Sequence, residues 1–78
     1  MRPAKRSFSI KGHRTSISLE PPFWDALRDI AARRAIPLAV LVGEIDSARG
    51  NQTGLSTAVR LHILADLKAR AAANERTG

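Results

Sequence analysis

The sequence contains no cysteine and no tyrosine, and its aromatic residues are Phe8, Phe23 and Trp24. Without cysteine, the chain has neither disulfide bonds nor a thiolate metal site to strengthen its fold. Its 78 residues make one domain at most, and a domain of this size buries a small share of its surface. We therefore expect a thin core that association with a second copy completes.

The sequence also lacks the long apolar run that a membrane span requires. Its basic N-terminus has neither the apolar stretch nor the small-residue cleavage site of a secretory signal. The apolar content of 44% is normal for a globular protein and well above that of a disordered chain. We therefore expect a globular protein of the cytoplasm, with no membrane partner.

Residues for catalysis and metal binding are sparse. The two histidines, His13 and His62, have no cysteine or carboxylate at a metal-like spacing. The chain has no nucleophile elbow, P-loop or dinucleotide fingerprint, and it is too small to enclose a typical substrate pocket. We therefore expect no enzyme activity, no metal site and no cofactor.

Positive charge is concentrated at one end of the chain. The formal net charge is +6, and five basic residues precede the first acidic residue, Glu20. They are Arg2, Lys5, Arg6, Lys11 and Arg14. Such a field favours a polyanionic partner, and the alternative is a solvated tail that only aids solubility. Charge alone does not distinguish the two.

Alternation of polar with apolar or β-branched residues predicts strand structure after a basic arm at residues 1–12. The clearest stretch predicts a strand over residues 14–20, and a shorter one over 7–11 lies before Gly12. Residues 7–11 either form their own strand, lengthen the strand at 14–20, or stay disordered until a polyanionic partner binds. The residues expected to face inward are Phe8, Ile10, Thr15, Ile17 and Leu19.

Helical periodicity follows the strand. Pro21 and Pro22 end the strand and suit the first turn of a helix, so we expect helix A at 22–35. Pro37 opens helix B at 38–49, which completes a core region of residues 13–50.

The remaining segment, residues 51–78, begins with a short loop at residues 51–54. Apolar spacing then predicts a third helix over about 55–73, followed by a frayed tail.

A strand at 14–20 with no sheet partner in its own chain leaves backbone groups unsatisfied. Two copies related by a two-fold axis solve this problem by pairing their strands antiparallel and joining their helices into one core. The residues expected in that dimer core are Ile17, Leu19, Phe23, Trp24, Leu27, Ile30, Leu41, Val42 and Ile45.

The stretch Arg14–Pro21 resembles the ribbon-helix-helix repressors, the class that includes Arc and the methionine repressor, and the resemblance covers roughly residues 13–50. A bacterial subgroup of small ribbon-helix-helix proteins with an extra C-terminal helix is more similar still. The segments that carry this closer resemblance are Gly12–Ser16, Leu19–Pro21, Phe23–Trp24, Glu44–Asp46 and Leu55–Arg60. The implied fold is mainly α with one N-terminal β-strand, an intertwined homodimer whose intermolecular two-stranded ribbon precedes the helices.

This resemblance implies that the ribbon lies in the major groove of DNA, with Arg14, Ser16 and Ser18 facing base edges. The alternative is that these three residues only form the solvent-exposed face of a sheet.

Contacts to the DNA backbone are also implied. In the family, amides at the start of helix B bind phosphate, which here means Leu38 and Ala39. The chain departs from the pattern because Ala35 and Pro37 stand where many members have a glycine and then a serine or threonine. We therefore expect these amides to bind phosphate more weakly. The basic residues expected at neighbouring phosphates are Lys5, Arg6 and Lys11.

The sequence thus predicts a nucleoid-associated, sequence-specific binder of double-stranded DNA, a repressor-type transcriptional regulator that assembles as a homodimer or as higher assemblies on DNA. With six phosphates neutralised per dimer, the logarithmic salt slope would be about −5. One alternative is an antitoxin-like protein-interaction module that docks a partner through helix 55–73. Another is sequence-independent coating of nucleic acid.

Overall fold

A two-stranded antiparallel ribbon followed by three helices forms the architecture, which confirms the expected mainly helical fold class. The computed structural model describes residues 1–51 and 53–77, except for the side chains of residues 76 and 77. The elements are β1 (Ala4–Ile10), β2 (His13–Leu19), α1 (Pro21–Arg33), α2 (Leu38–Arg49) and α3 (Leu55–Thr77).

Both strands of the ribbon belong to the same chain. β1 pairs with β2 in a register that runs from Ala4 opposite Leu19 to Ile10 opposite His13. The expectation of a single strand that lacks a partner in its own chain is therefore wrong. Residues of the expected basic arm supply the partner, and β1 is longer than the predicted strand at 7–11.

A two-residue turn makes this hairpin possible. Lys11 and Gly12 have φ angles of 52° and 80°, and positive φ at both central residues is what a type I′ turn requires. That turn matches the twist of the strands that it joins, and therefore directs β1 back along β2. Its usual signal is Asn-Gly or Asp-Gly, so Lys11-Gly12 is a weak form of the pattern.

The core closes within one chain. Of the nine residues expected in a dimer core, eight are buried with exposures of 5% or less, and Phe23 is half-buried against the cluster. Val59 and Ile63 of α3 are buried with them, and Ile10 of β1 completes the strand side. Burial of these residues therefore does not require a second copy.

Two helices end two or more residues away from the expected positions, and α1 begins one residue early, at Pro21. α1 ends at Arg33 rather than at residue 35, because Ala35 adopts a left-handed φ of 55°. The amides of Ala35 and Ile36 donate to the carbonyls of Ala32 and Ala31, at 3.1 and 3.0 Å. These are the bonds of a Schellman motif, built here on alanine instead of glycine.

α3 continues to Thr77 instead of ending near residue 73. Alanine, glutamate and arginine, which dominate residues 71–76, are strong helix formers, so a helix replaces the expected frayed tail. Gln52, in the expected loop at 51–54, and Gly78, in the expected tail, lie outside the described residues.

The turn can be tested through Gly12. Replacing Gly12 by alanine places a Cβ at a left-handed position, so Gly12→Ala should lower the free energy of unfolding by about 1–2 kcal/mol. Urea unfolding followed by the fluorescence of Trp24 measures this change. Lys11→Asn is the matched control, because asparagine tolerates positive φ, and it should leave stability equal or slightly higher. Equal stability of Gly12→Ala and the parent would contradict the turn.

Candidate nucleic-acid interface

The hairpin has one face turned away from the helices, and we call it the outer face. Alternation along each strand sends Ile10, Ile17 and Leu19 into the core. The intervening residues therefore share the opposite side, and the register places them in three cross-strand pairs. These pairs are Lys5 with Ser18, Ser7 with Ser16, and Ser9 with Arg14.

The outer face consists of two cations and four serines. Lys5 lies near the open end of the hairpin and Arg14 near the turn, which puts them about 13 Å apart along the strand direction. The hairpin, residues 4–19, contains no acidic residue. Hydroxyl and cationic side chains offer hydrogen bonds to a polyanion without repelling it.

The serine pair at the centre of the face is in contact. The Oγ atoms of Ser7 and Ser16 are 3.3 Å apart, and both residues are exposed. Ser9 is exposed as well. Sequence reasoning did not assign Ser7 and Ser9 to this face, because it left open whether residues 7–11 form a strand, although the alternation Ser7-Phe8-Ser9-Ile10 was the available signal.

Ser18, an expected base-contacting residue, is held by α3. Its amide donates to Ser56 Oγ at 3.3 Å, and its carbonyl accepts from Arg60 Nη2 at 3.3 Å. Its side chain is half-buried, whereas Arg14 and Ser16 are exposed. The structure thus brings Arg14 and Ser16 together on an open surface and leaves Ser18 at its covered end.

Arg6, an expected phosphate contact, lies on the inner side of the hairpin. Its guanidinium carbon is 5.4 Å from the centre of the Trp24 ring, within the range of a cation–π interaction. Trp24 also stacks on Phe8 at a ring separation of 6.0 Å and donates from Nε1 to the Ala4 carbonyl at 2.8 Å. Trp24 thereby fastens the first residues of β1 to α1.

Two of the other expected phosphate contacts, Lys11 and Ala39, meet at one groove. Lys11 of the turn and Ala39 in the first turn of α2 line the same open groove, with a volume of about 680 Å³. Pro37 caps α2 without a side-chain hydrogen bond. The amides of Leu38 and Ala39 lie in the first turn, where helix geometry provides no intrahelical acceptor. Lys11 and this helix start therefore offer cationic charge and free donors beside the hairpin.

Arg60 joins the end of β2 to α3. Its guanidinium lies 3.0 Å from Glu20 Oε1 and 5.8 Å from the centre of the Phe23 ring. Hydrogen bonding to the backbone, and then to Arg60, lowers the pKa of the Glu20 carboxyl below its ordinary value. Sequence reasoning did not find this cluster, because Arg60 and Glu20 are 40 residues apart along the chain.

The described residues contain no group of three or more histidine, cysteine, aspartate or glutamate side chains that would hold a metal ion. Among the helices over the same residues, none is both long and apolar enough to cross a membrane.

Comparison with known proteins assigns the chain to a family. The family model for the ribbon-helix-helix domain matches residues 3–67, and the chain therefore belongs to the ribbon-helix-helix domain family. The match runs from before β1 into the middle of α3. Members of this family are generally DNA-binding regulators or antitoxins, they typically form dimers, and the fold is a regulatory, non-enzymatic one. No curated protein and no solved structure matches the chain.

Stability should depend on pH through Glu20. Because folding lowers the pKa of this carboxyl, its contribution is present above the unfolded pKa and is lost as pH falls through the folded value. We expect the urea midpoint to fall as pH is lowered from about 5 to about 3. Glu20→Gln should flatten that fall, whereas Glu75→Gln, at the exposed end of α3, should leave it unchanged. Identical pH profiles for the two variants would contradict the role of Glu20.

Proposed function

We propose that the chain is a sequence-specific double-stranded DNA-binding protein, a transcriptional regulator of the repressor type, and that the outer face of its hairpin enters the major groove. The observation that carries this proposal is a two-stranded ribbon whose exposed side has two cations, four serines and no carboxylate. Membership in a family of DNA-binding regulators and antitoxins supports it.

The dimensions of the ribbon suit the groove. Paired strands lie about 4.8 Å apart, and a major groove about 12 Å wide admits a two-stranded β-ribbon. Side chains stand roughly perpendicular to the sheet, so those of the outer face would point at base edges. In this protein a single chain supplies both strands, so one copy has a complete ribbon.

Arg14 is the residue that we assign to base recognition. A guanidinium can donate two hydrogen bonds to guanine O6 and N7, whereas serine hydroxyls discriminate less between bases. Ser16 contributes from the same strand, and Ser7 and Ser9 join it from β1. Ser18 has a lesser part because α3 holds its backbone.

Contacts to phosphate come from the flanks of the ribbon. We assign them to Lys5, to Lys11, and to the amides of Leu38 and Ala39, because cations and helix N-termini bind phosphate without reading sequence. Arg6 instead stabilises Trp24 from the inner side.

The oligomeric state that we propose is the one typical of the family. We propose a homodimer that acts on the nucleoid in the cytoplasm, with higher assemblies on DNA and no cofactor.

Arg14→Ala tests base recognition. Removal of a bidentate hydrogen bond should weaken binding to a selected site by about 1–3 kcal/mol and relax the preference at one position of that site. Fluorescence anisotropy with a duplex selected from a random pool, and with a scrambled duplex, measures both effects. The matched control is Arg28→Ala, since Arg28 is an exposed arginine of α1 that pairs with Asp25.

Lys5→Ala separates phosphate binding from base recognition. It should weaken both duplexes equally and reduce the magnitude of the salt slope by about 1 for each phosphate that is no longer neutralised. Lys68→Ala removes the same charge from α3 and should have little effect. A salt slope near zero, or Arg14→Ala and Arg28→Ala behaving alike, would exclude the proposed interface.

A protein-docking role through α3 is the second candidate. Val59 and Ile63 of this helix are buried, but Leu61, Leu64 and Leu67 are exposed by 55%, 51% and 47%. Apolar side chains at helical spacing on an exposed helix are a common docking pattern. Because Val59 and Ile63 belong to the core, deletion of residues 51–78 should unfold the chain.

A photo-crosslinking residue at position 64, with position 28 as the control, tests docking in the host cell without unfolding the protein. One discrete protein adduct at position 64 that is missing at position 28 would support docking. Identical patterns at both positions would exclude it.

A further inference from the structure

The open end of the hairpin is held on its β2 side by α3. The two-residue turn makes Ile10 and His13 a pair that exchanges backbone hydrogen bonds, and alternation along the strand then turns the amide and carbonyl of Ser18 away from β1. The amide donates to Ser56 Oγ and the carbonyl accepts from Arg60 Nη2, each at 3.3 Å. Two residues of one helix therefore fix the backbone of β2 at this end.

Arg60 also bonds to the junction between β2 and α1. Its Nη2 lies 3.0 Å from Glu20 Oε1, and its guanidinium carbon is 5.8 Å from the centre of the Phe23 ring. Glu20 is the residue before α1, and its carbonyl accepts from the amides of Phe23 and Trp24 at 2.9 and 3.3 Å. One guanidinium thus connects the end of β2, the junction and the first turn of α1.

The β1 side of the same end is held by α1. Trp24 Nε1 donates to the Ala4 carbonyl at 2.8 Å, and Ala4 lies opposite Leu19 at the open end. The open end therefore has one attachment on each strand, through Trp24 on β1 and through α3 on β2. Attachments on both sides of a ribbon prevent it from rolling about its long axis, which a single attachment would allow.

The roll of the ribbon determines where Arg14 points. Side chains of the outer face stand roughly perpendicular to the sheet, so a roll moves them relative to the start of α2, where we placed the phosphate contacts of Leu38 and Ala39. A binding site has to hold its groups within about 0.5 Å and 10–20° of the productive geometry. Contacts to a base from Arg14 and to phosphate from α2 can therefore form together only over a narrow range of roll angles.

We propose that Arg60 is a positioning residue for DNA recognition. Together with Ser56 it sets the roll of the ribbon, so that Arg14 reaches its base while the start of α2 binds phosphate. Arg60 acts through the backbone of Ser18 and does not touch DNA. The inference rests on the proposed function and adds to it a role for α3 in sequence preference.

The charge of Arg60 is directed away from the outer face. The Glu20 carboxylate neutralises it, and the two side chains are 34% and 30% exposed. The bond to the Ser18 carbonyl lies near the plane of the sheet, because backbone groups of a strand point along that plane. Arg60 therefore differs from Lys5, whose side chain lies on the outer face.

Arg60→Met tests the positioning role. Methionine keeps an unbranched side chain beside Phe23 and removes the guanidinium. Affinity for the selected duplex should fall by at least about threefold. Affinity for the scrambled duplex and the salt slope should stay as in the parent, because no phosphate contact is lost. Fluorescence anisotropy measures these values at a temperature where circular dichroism shows that the variant is folded.

Arg70→Met is the matched control on the same helix. Arg70 pairs with Asp66 at 3.1 Å, and Asp66 also pairs with Arg33 of α1 at 2.8 Å. The substitution thus costs α3 a salt bridge that joins it to α1 and not to the hairpin. It should leave the affinities for both duplexes unchanged, so a general loss of helix stability is distinguished from a loss of positioning.

Ser56→Ala keeps the test independent of a salt bridge. It removes the acceptor of the Ser18 amide and changes no charge. Hydrogen exchange at the Ser18 amide, measured by NMR without DNA, should become at least about threefold faster than in the parent. Affinity for the selected duplex should fall in the same direction as for Arg60→Met, with the scrambled duplex unaffected.

A double-mutant cycle identifies the route of the effect. If Arg60 acts by placing Arg14, Arg60→Met should have little further effect on the selected duplex once Arg14→Ala is present. Equal weakening of both duplexes with a smaller salt slope would show direct phosphate binding by Arg60 and overturn the inference. Losses that add fully in the cycle would overturn it too, as would parental affinity for the selected duplex in both Arg60→Met and Ser56→Ala.

Failure of this inference differs from failure of the proposed function. Weaker binding by Arg14→Ala, with Arg60→Met and Ser56→Ala behaving like the parent, would remove the positioning role alone. A parent that binds neither duplex would remove both.

Discussion

The pairing of β1 with β2 inside one chain is the constraint on which the rest of the structure depends. It satisfies the backbone of the strand before α1, and it brings a basic N-terminal segment onto a defined surface. Lys5, Ser7 and Ser9 acquire fixed positions beside Arg14 and Ser16 only because the turn at Lys11-Gly12 adopts two left-handed conformations. The basic N-terminal segment thus forms one strand of the ribbon.

The same pairing helps to close the core within a single chain. β1 covers one side of β2, while α3 inserts Val59 and Ile63 beneath the sheet and fastens the other side through Ser56 and Arg60. One chain therefore supplies a closed core of its own. DNA binding then depends on which face of the hairpin is free.

Much of this fold was predictable from the sequence, because alternation around Ile17 and helical spacing from Leu38 to Ile45 are local patterns. The extent of β1 was not, since Ala4-Lys5-Arg6 has no apolar alternation and the turn lacks asparagine or aspartate. Ser18 is bound by Ser56 and Arg60 of α3, which lie 38 and 42 positions further along the chain. Local patterns contain no information about contacts of that range, so the covered end of the outer face was missed.

The most direct test of the central claim uses the absence of native cysteine. Ser7 and Ser16 face each other with their Oγ atoms 3.3 Å apart, so a chain with both Ser7→Cys and Ser16→Cys should form a disulfide on mild oxidation. Mass spectrometry and non-reducing electrophoresis identify the product. Pairing within one chain predicts a covalent monomer in which positions 7 and 16 of the same chain are linked, at all protein concentrations. A covalent dimer linked between positions 7 and 16 of different chains would contradict it.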